Sequence, residues 1–296
     1  MATVTPQHKP KKILTAEHSG FCYGVKMAVD KAFELAEHSS KPVYVLGELI
    51  HNPQVIEKLQ NQGVQTVQSV DEIPSGSACV IRTHGVDPDH IDTAESRSID
   101  VSDATCPDVR RVQDKAMELA EEGYTVIVVG KASHPEIVGI MAHSRRIDGS
   151  KIVAINEPQE LHAALEGLPT TKIGIVSQTT QKEDTFFQVV AEVAKFAREL
   201  KVFNTICPAT FKRQSAAEKL AHEVELMVVV GGKNSSNTTH LAEVCREIGT
   251  EALHIETVQE LKDHPALTKP ETIGVTAGAS TPDWLVQEVI DYLQSL

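Results

Sequence analysis

Tyr124-Thr125-Val126-Ile127-Val128-Val129-Gly130-Lys131-Ala132-Ser133-His134-Pro135-Glu136 is the stretch that decides the fold. Its β-branched run has no polar alternation and stops at a glycine, as expected of a strand buried on both faces of a parallel sheet. His134 directly before Pro135 then marks a helix start. A strand, a glycine and a helix mouth in succession make a βα unit, whose functional loops lie beyond the carboxyl end of the strand.

The same unit can be traced twice more, through Val43–Gly47 to His51 and through Met227–Gly231 to Ser235. Upstream of each strand a helical run is opened by a cysteine, Cys22, Cys106 or Cys207, at 25, 24 and 24 residues before the glycine. A later strand in each copy ends in a polar loop with His84, Thr179 or Ser280, which the spacing treats as equivalent positions. Self-similarity of this kind implies a threefold repeat. The expected architecture is α/β, three similar domains in a pseudo-threefold arrangement with one thiol from each at a central metal cluster. The expected boundaries are a disordered tail 1–12, domains 13–105, 106–204 and 205–283, and a last helix 284–296 packing back on domain 1.

With 296 residues, 41% of them hydrophobic and 23% charged, the composition is that of an ordinary globular protein. No run reaches the 18 or so apolar residues of a membrane span, and the polar, basic start has no apolar centre, so neither a membrane nor export is expected. Five cysteines in such a chain imply reduced thiols in a cytoplasm. A net charge of −13 argues against nucleic-acid binding. It also means that an anionic substrate would need local donors.

The cysteines lack the C-x-x-C spacing that presents two thiolates to one zinc. Separations of 84 and 101 residues instead require a site built from three distant segments. Three thiolates on one [4Fe–4S] cluster leave an iron open to act as a Lewis acid while the cluster carries electrons. Helix starts after Cys106 and Cys207 favour thiolate. Cys79, inside an apolar strand, and Cys245, inside a helix, read as structural.

Gly20-Phe21-Cys22-Tyr23-Gly24-Val25, Asp103-Ala104-Thr105-Cys106-Pro107, His134-Pro135-Glu136, Ser177-Gln178-Thr179-Thr180, Cys207-Pro208-Ala209-Thr210 with Arg213-Gln214, and Lys233-Asn234-Ser235-Ser236-Asn237 occur in that order. Together they resemble the 4-hydroxy-3-methylbut-2-enyl diphosphate reductase family, over Ile13 to Val286. The resemblance implies a pseudo-threefold trefoil of three α/β domains around one [4Fe–4S] cluster per chain, held by Cys22, Cys106 and Cys207. It implies a diphosphate pocket from His51, His84, His134, Thr179, Ser235, Ser236, Asn237 and Ser280, and Glu136 as the proton donor. The implied reaction removes an allylic hydroxyl reductively to give isopentenyl and dimethylallyl diphosphates. No flavin or nicotinamide fingerprint is present, so a separate ferredoxin or flavodoxin type of carrier is implied. Departures from the family pattern are His18-Ser19, Asp108 after Cys106-Pro107, and Thr83 before His84. Two rivals stand beside this expectation: a non-redox iron–sulfur hydro-lyase, and a binding or structural protein holding zinc through Cys, His and Glu.

Overall fold

The computed structural model describes residues 11–296; the expected tail lies outside the described residues except for Lys11 and Lys12, and Lys12 begins the first strand. In chain order the first elements are β1 (Lys12–Thr15), α1 (Tyr23–His38), β2 (Val43–Leu46), α2 (Pro53–Asn61), β3 (Gln65–Val67), β4 (Ala78–Ile81), α3 (Pro88–Ser96) and β5 (Asp100–Asp103). Next come α4 (Pro107–Glu121), β6 (Thr125–Val129), α5 (Pro135–Arg145), β7 (Lys151–Ile155), α6 (Leu161–Ala164), β8 (Lys172–Ser177), α7 (Glu183–Val193) and β9 (Glu199–Val202). The last group is α8 (Pro208–Ala221), β10 (Leu226–Val230), α9 (Ser236–Glu247), β11 (Glu251–Ile255), β12 (Thr272–Ala277) and α10 (Asp283–Gln294).

The strands form three all-parallel, four-stranded sheets of one topology: β3-β2-β4-β5, β7-β6-β8-β9 and β11-β10-β12-β1. The repeat is therefore visible in strand order. In each sheet the glycine after the inner strand β2, β6 or β10 donates its N–H to the neighbouring strand's last residue: Gly47 to Val67 at 2.7 Å, Gly130 to Ile155 at 2.7 Å and Gly231 to Ile255 at 2.8 Å. The fourth strand of each sheet, β5, β9 or β1, leads directly into one of the three cysteines. In the last sheet the fourth position is taken by the N-terminal β1, paired in parallel with β12. Residues 13–15, grouped on sequence with the first domain, therefore belong to the sheet of the last repeat.

The chain divides into two compact units. One joins the described residues up to Cys22 with Ala209–Leu296; the other is Tyr23–Pro208 and holds two sheets. In the larger unit β6 is buried on both faces, Ile127 and Val129 packing with Leu161 and Phe186, and Val126 and Val128 with Val112 and Leu119 of α4. In the smaller unit β10 repeats this, with Val228 and Val230 on one core and Met227 and Val229 on the other beside Leu220 and Leu241. Each such side chain contributes about 1.5–3 kcal/mol by leaving water. α10 covers the sheet through β1 and β12.

Candidate active site

Each of the three cysteines is held by its backbone in the same way. Cys106 N–H donates to Thr83 O at 2.9 Å, Cys207 N–H to Thr179 O at 2.9 Å and Cys22 N–H to Ala279 O at 3.1 Å. The acceptor in every case is the second residue past the tip of its sheet's third strand. All three thiols are partly exposed and none is in a disulfide. Cys106 is the N-cap of α4 yet its side chain makes no cap bond, which leaves Sγ directed elsewhere. Gly24 leaves room for it: a Cβ there would lie 2.5 Å from Cys106 Sγ. Cys79 and Cys245 are different, fully buried with burial pushing their thiols up to about 11. Thiols that are backbone-fixed, accessible and soft fit an iron–sulfur group.

Counting from the cysteines misaligns one of the expected equivalences. Gly85, Gln181 and Thr281 donate N–H bonds to Arg82, Gln178 and Gly278 carbonyls at 3.0, 3.1 and 3.0 Å, which superimposes the three turns. In that register His84 and Ser280 match Thr180, and Thr179 matches Thr83 and Ala279. The helix mouths are also shifted in the first copy, where Asn52 caps α2 by accepting from Val55 N–H at 3.0 Å. His134 and Ser235 are themselves the caps of α5 and α9. The first loop is one residue longer, and that residue displaces His51 from the cap.

The displacement has a chemical result. His51, His84 and His134 come together, with ring centroids 4.3 Å apart for the first pair and 5.4 Å for each of the other two. One ring nitrogen from each lies within 4.8 Å of the others. His134 Nδ1 accepts the Glu136 N–H at 3.1 Å, which leaves Nε2–H as the donor. His51 Nδ1 faces Glu48 at 3.3 Å. His84 Nδ1 is buried without a partner among the described residues. Burial, then its two histidine neighbours and Arg82, hold His84 well below the usual histidine range, so its ring is neutral. The half-buried Arg82 donates Nε–H to Gly85 O at 3.2 Å. Sequence reading passed over this arginine, although a cation at the end of an apolar strand is the local donor that an acidic chain needs.

Glu136, in the first turn of α5, is 1% exposed. Thr179 donates its N–H to Oε1 at 2.7 Å and its hydroxyl to Oε2 at 2.8 Å. Burial pushes the carboxyl up to about 7 against those two bonds, with the charge of Asp108 adding to the rise. Thr179 O in turn receives the Cys207 N–H, so one residue bridges a protonatable carboxyl and a thiol. Asp108, noted on sequence only as a departure, accepts a bond from Cys207 Sγ at 3.1 Å.

In the smaller unit Ser235, Asn237 and Ser280 are buried and Ser236 is partly exposed. Ser235 accepts from Thr238 N–H at 3.4 Å. Both side-chain polar atoms of Asn237 are buried without a partner among the described residues. An amide so placed at a helix start is aimed at a ligand or costs free energy. Arg213 donates to Gly20 O at 2.7 Å and to Ala209 O at 2.9 Å, fixing the loop that leads to Cys22.

Residues 13–294 match the family described as LytB protein. The 4-hydroxy-3-methylbut-2-enyl diphosphate reductase of Aquifex aeolicus (strain VF5) is 42% identical over 284 residues, covering 96% of both chains. That of Geobacter sulfurreducens is 44% identical over 283 residues, covering 96% of this chain and 97% of its own. A solved structure of (E)-4-hydroxy-3-methyl-but-2-enyl diphosphate reductase, the terminal enzyme of the non-mevalonate pathway, aligns with a TM-score of 0.71 at 41% identity over 97% of this chain and 100% of that one. The E-1-hydroxy-2-methyl-but-2-enyl-4-diphosphate reductase of Plasmodium falciparum aligns with a TM-score of 0.88 at 26% identity, covering 96% and 88%.

Proposed function

This chain belongs to the LytB protein family, and from that premise we propose that it reductively dehydroxylates (E)-4-hydroxy-3-methylbut-2-enyl diphosphate to isopentenyl and dimethylallyl diphosphates. The observation that carries the proposal is the bridge Glu136–Thr179–Cys207, a buried carboxyl with a pKa of about 7 tied through one residue to a candidate ligand. An allylic hydroxyl leaves as water only if it is protonated, and a donor poised near neutrality suits that task.

Cys22, Cys106 and Cys207 are proposed to hold one [4Fe–4S] cluster per chain. When bound, it supplies low-potential electrons and, at an iron without a protein ligand, Lewis acidity. His51, His84, His134 and Thr179, with Ser235, Ser236, Asn237 and Ser280, are assigned to binding and orienting the diphosphate substrate. A neutral His84, and His134 with Nε2–H left as its donor by the bond at Nδ1, offer hydrogen-bond donors to the diphosphate. Glu136 holds the proton on a carboxyl oxygen, and Thr179 fixes that carboxyl through both of its bonds. Anchoring the diphosphate converts binding into orientation of the reacting hydroxyl. Electrons come from a separate small carrier of the ferredoxin or flavodoxin type, in the cytoplasm. Among the described residues no helix is long and apolar enough to cross a membrane.

The test is anaerobic purification with iron and sulfide analysis, followed by turnover of the hydroxylated diphosphate with and without a reduced carrier. Glu136→Gln is expected to keep the iron–sulfur absorbance and lose turnover; full turnover in that variant refutes the proton-donor role. Turnover with no electron donor would favour the hydro-lyase. The histidine triad favours a second reading, a zinc site on three imidazoles. Zinc without iron or sulfide would establish that one instead.

A further inference from the structure

Asp108 is the second residue of α4, one position beyond the Cys106-Pro107 pair, and its carboxylate reaches a different cysteine. Oδ2 lies 3.1 Å from Cys207 Sγ, across 99 residues of sequence. Oδ1 lies 3.9 Å from Nη2 of Arg111, and the Asp108 side chain is only 18% exposed. An acid in the first turn of a helix is ordinarily there for the helix dipole. This one is also aimed inward at sulfur, where water screens it little.

In the free protein the Cys207 thiol donates to this carboxylate. A ligating cysteine is deprotonated, so the contact then has a negative group on either side and no hydrogen to share. Hydrogen-bond donors to cluster sulfurs and local positive charge ease reduction, and a fixed negative charge opposes it. The weak Arg111 pair, with its guanidinium about half exposed, offsets that charge only in part. The same charge contributes to the upward push on Glu136.

We infer that Asp108 is a potential-setting residue: its carboxylate beside Cys207 makes the iron–sulfur group harder to reduce and so demands a low-potential donor. The inference rests on the iron–sulfur reading above. The step concerned is transfer of one electron from an external low-potential one-electron carrier; no bond forms or breaks, and one negative charge is added beside Asp108. Asp108 touches no substrate in this role and acts through Cys207. A purely structural first-turn acid would leave the midpoint potential where it is.

The experiment is an anaerobic redox titration of the loaded protein, followed by electron paramagnetic resonance of the reduced state. Wild-type protein is first shown to contain iron and sulfide; if it contains neither, the iron–sulfur reading itself fails. Asp108→Asn keeps the shape and removes the charge. Its reduced-to-oxidised ratio at a fixed poise is expected to rise about tenfold, a positive midpoint shift of about 59 mV for a one-electron couple. Asp108→Glu is expected to stay near wild type. Coincident midpoints for wild type and Asp108→Asn, at equal iron and sulfide content, overturn the inference. Should Asp108→Asn fail to load iron, Arg111→Gln decides: loss of the partial counter-charge is expected to move the midpoint to more negative values, and an unmoved midpoint overturns the inference.

Discussion

Replacing Thr179 with valine keeps the branched shape and removes one hydroxyl from Glu136, leaving the backbone N–H bond to Oε1 at 2.7 Å intact. The hydroxyl serves both protonation states, donating to the carboxylate and accepting from the acid. A bond to a charged group is worth about 1.5–3 kcal/mol and a neutral one about 0.5–1.5. The difference, about 1 kcal/mol, favours the ionised form in wild type and corresponds to about 0.7 of a pKa unit. Losing the hydroxyl therefore raises the Glu136 carboxyl above its value of about 7. Proton donation requires the acid form, so activity falls as pH rises through that pKa. In Thr179→Val this basic limb of kcat/KM, which reports the free enzyme, moves to higher pH by about 0.7 unit. A limb that stays in place or moves down, in a variant that still saturates with substrate, refutes the assignment of the limb to Glu136.

The same carboxyl makes stability fall with pH. Its folded pKa of about 7 stands above the ordinary 4.5, so the folded state alone keeps the proton between those values and stability is lost across that window. The loss from this carboxyl is on the order of 3 kcal/mol; buried neutral histidines such as His84 act in the opposite direction, so the stability change between pH 4.5 and pH 8 in urea unfolding of metal-free protein should differ by that amount between wild type and Glu136→Gln. Gly24→Ala adds a Cβ that would sit 2.5 Å from Cys106 Sγ, so the thiol must shift; iron per chain is expected to fall below half while the metal-free protein still unfolds cooperatively in a thermal melt. Asn237→Leu removes a buried amide that has no partner among the described residues. Calorimetry should show inorganic pyrophosphate binding weakened at least about tenfold, as expected for a lost bond to a charged group, with thermal stability equal to or above wild type.

The buried strands were legible because β2, β6 and β10 are continuous apolar runs that cannot serve any other purpose. The fourth strands were not. Lys12-Ile13-Leu14-Thr15, Asp100-Val101-Ser102-Asp103 and Glu199-Leu200-Lys201-Val202 are half-exposed sheet edges, and polar edge strands carry almost no periodic signal. Loop equivalence was legible to within one residue. Counting from the cysteines cannot see the extra residue before Asn52, or that the turns align on the Thr83, Thr179 and Ala279 carbonyls. The cysteines and the three histidines stood out by type and position, and Glu136 through the family resemblance. Arg82 and the reach of Asp108 to Cys207 did not, since a lone charge acquires meaning only from partners that the fold brings to it.

β1 has a consequence for synthesis. The carbonyl of Ala279 that holds Cys22 N–H is made 257 residues after Cys22 itself, just after β12, the partner of β1. At about 5–20 residues per second, the first cysteine waits tens of seconds for the backbone that positions it. Cys106 and Cys207, by contrast, follow their acceptors Thr83 and Thr179 off the ribosome and are positioned as they emerge. If the proposed cluster sits on all three thiols, its loading belongs after β12 and Ala279 have been made, and a nascent chain halted before β12 leaves its N-terminal strand an open edge.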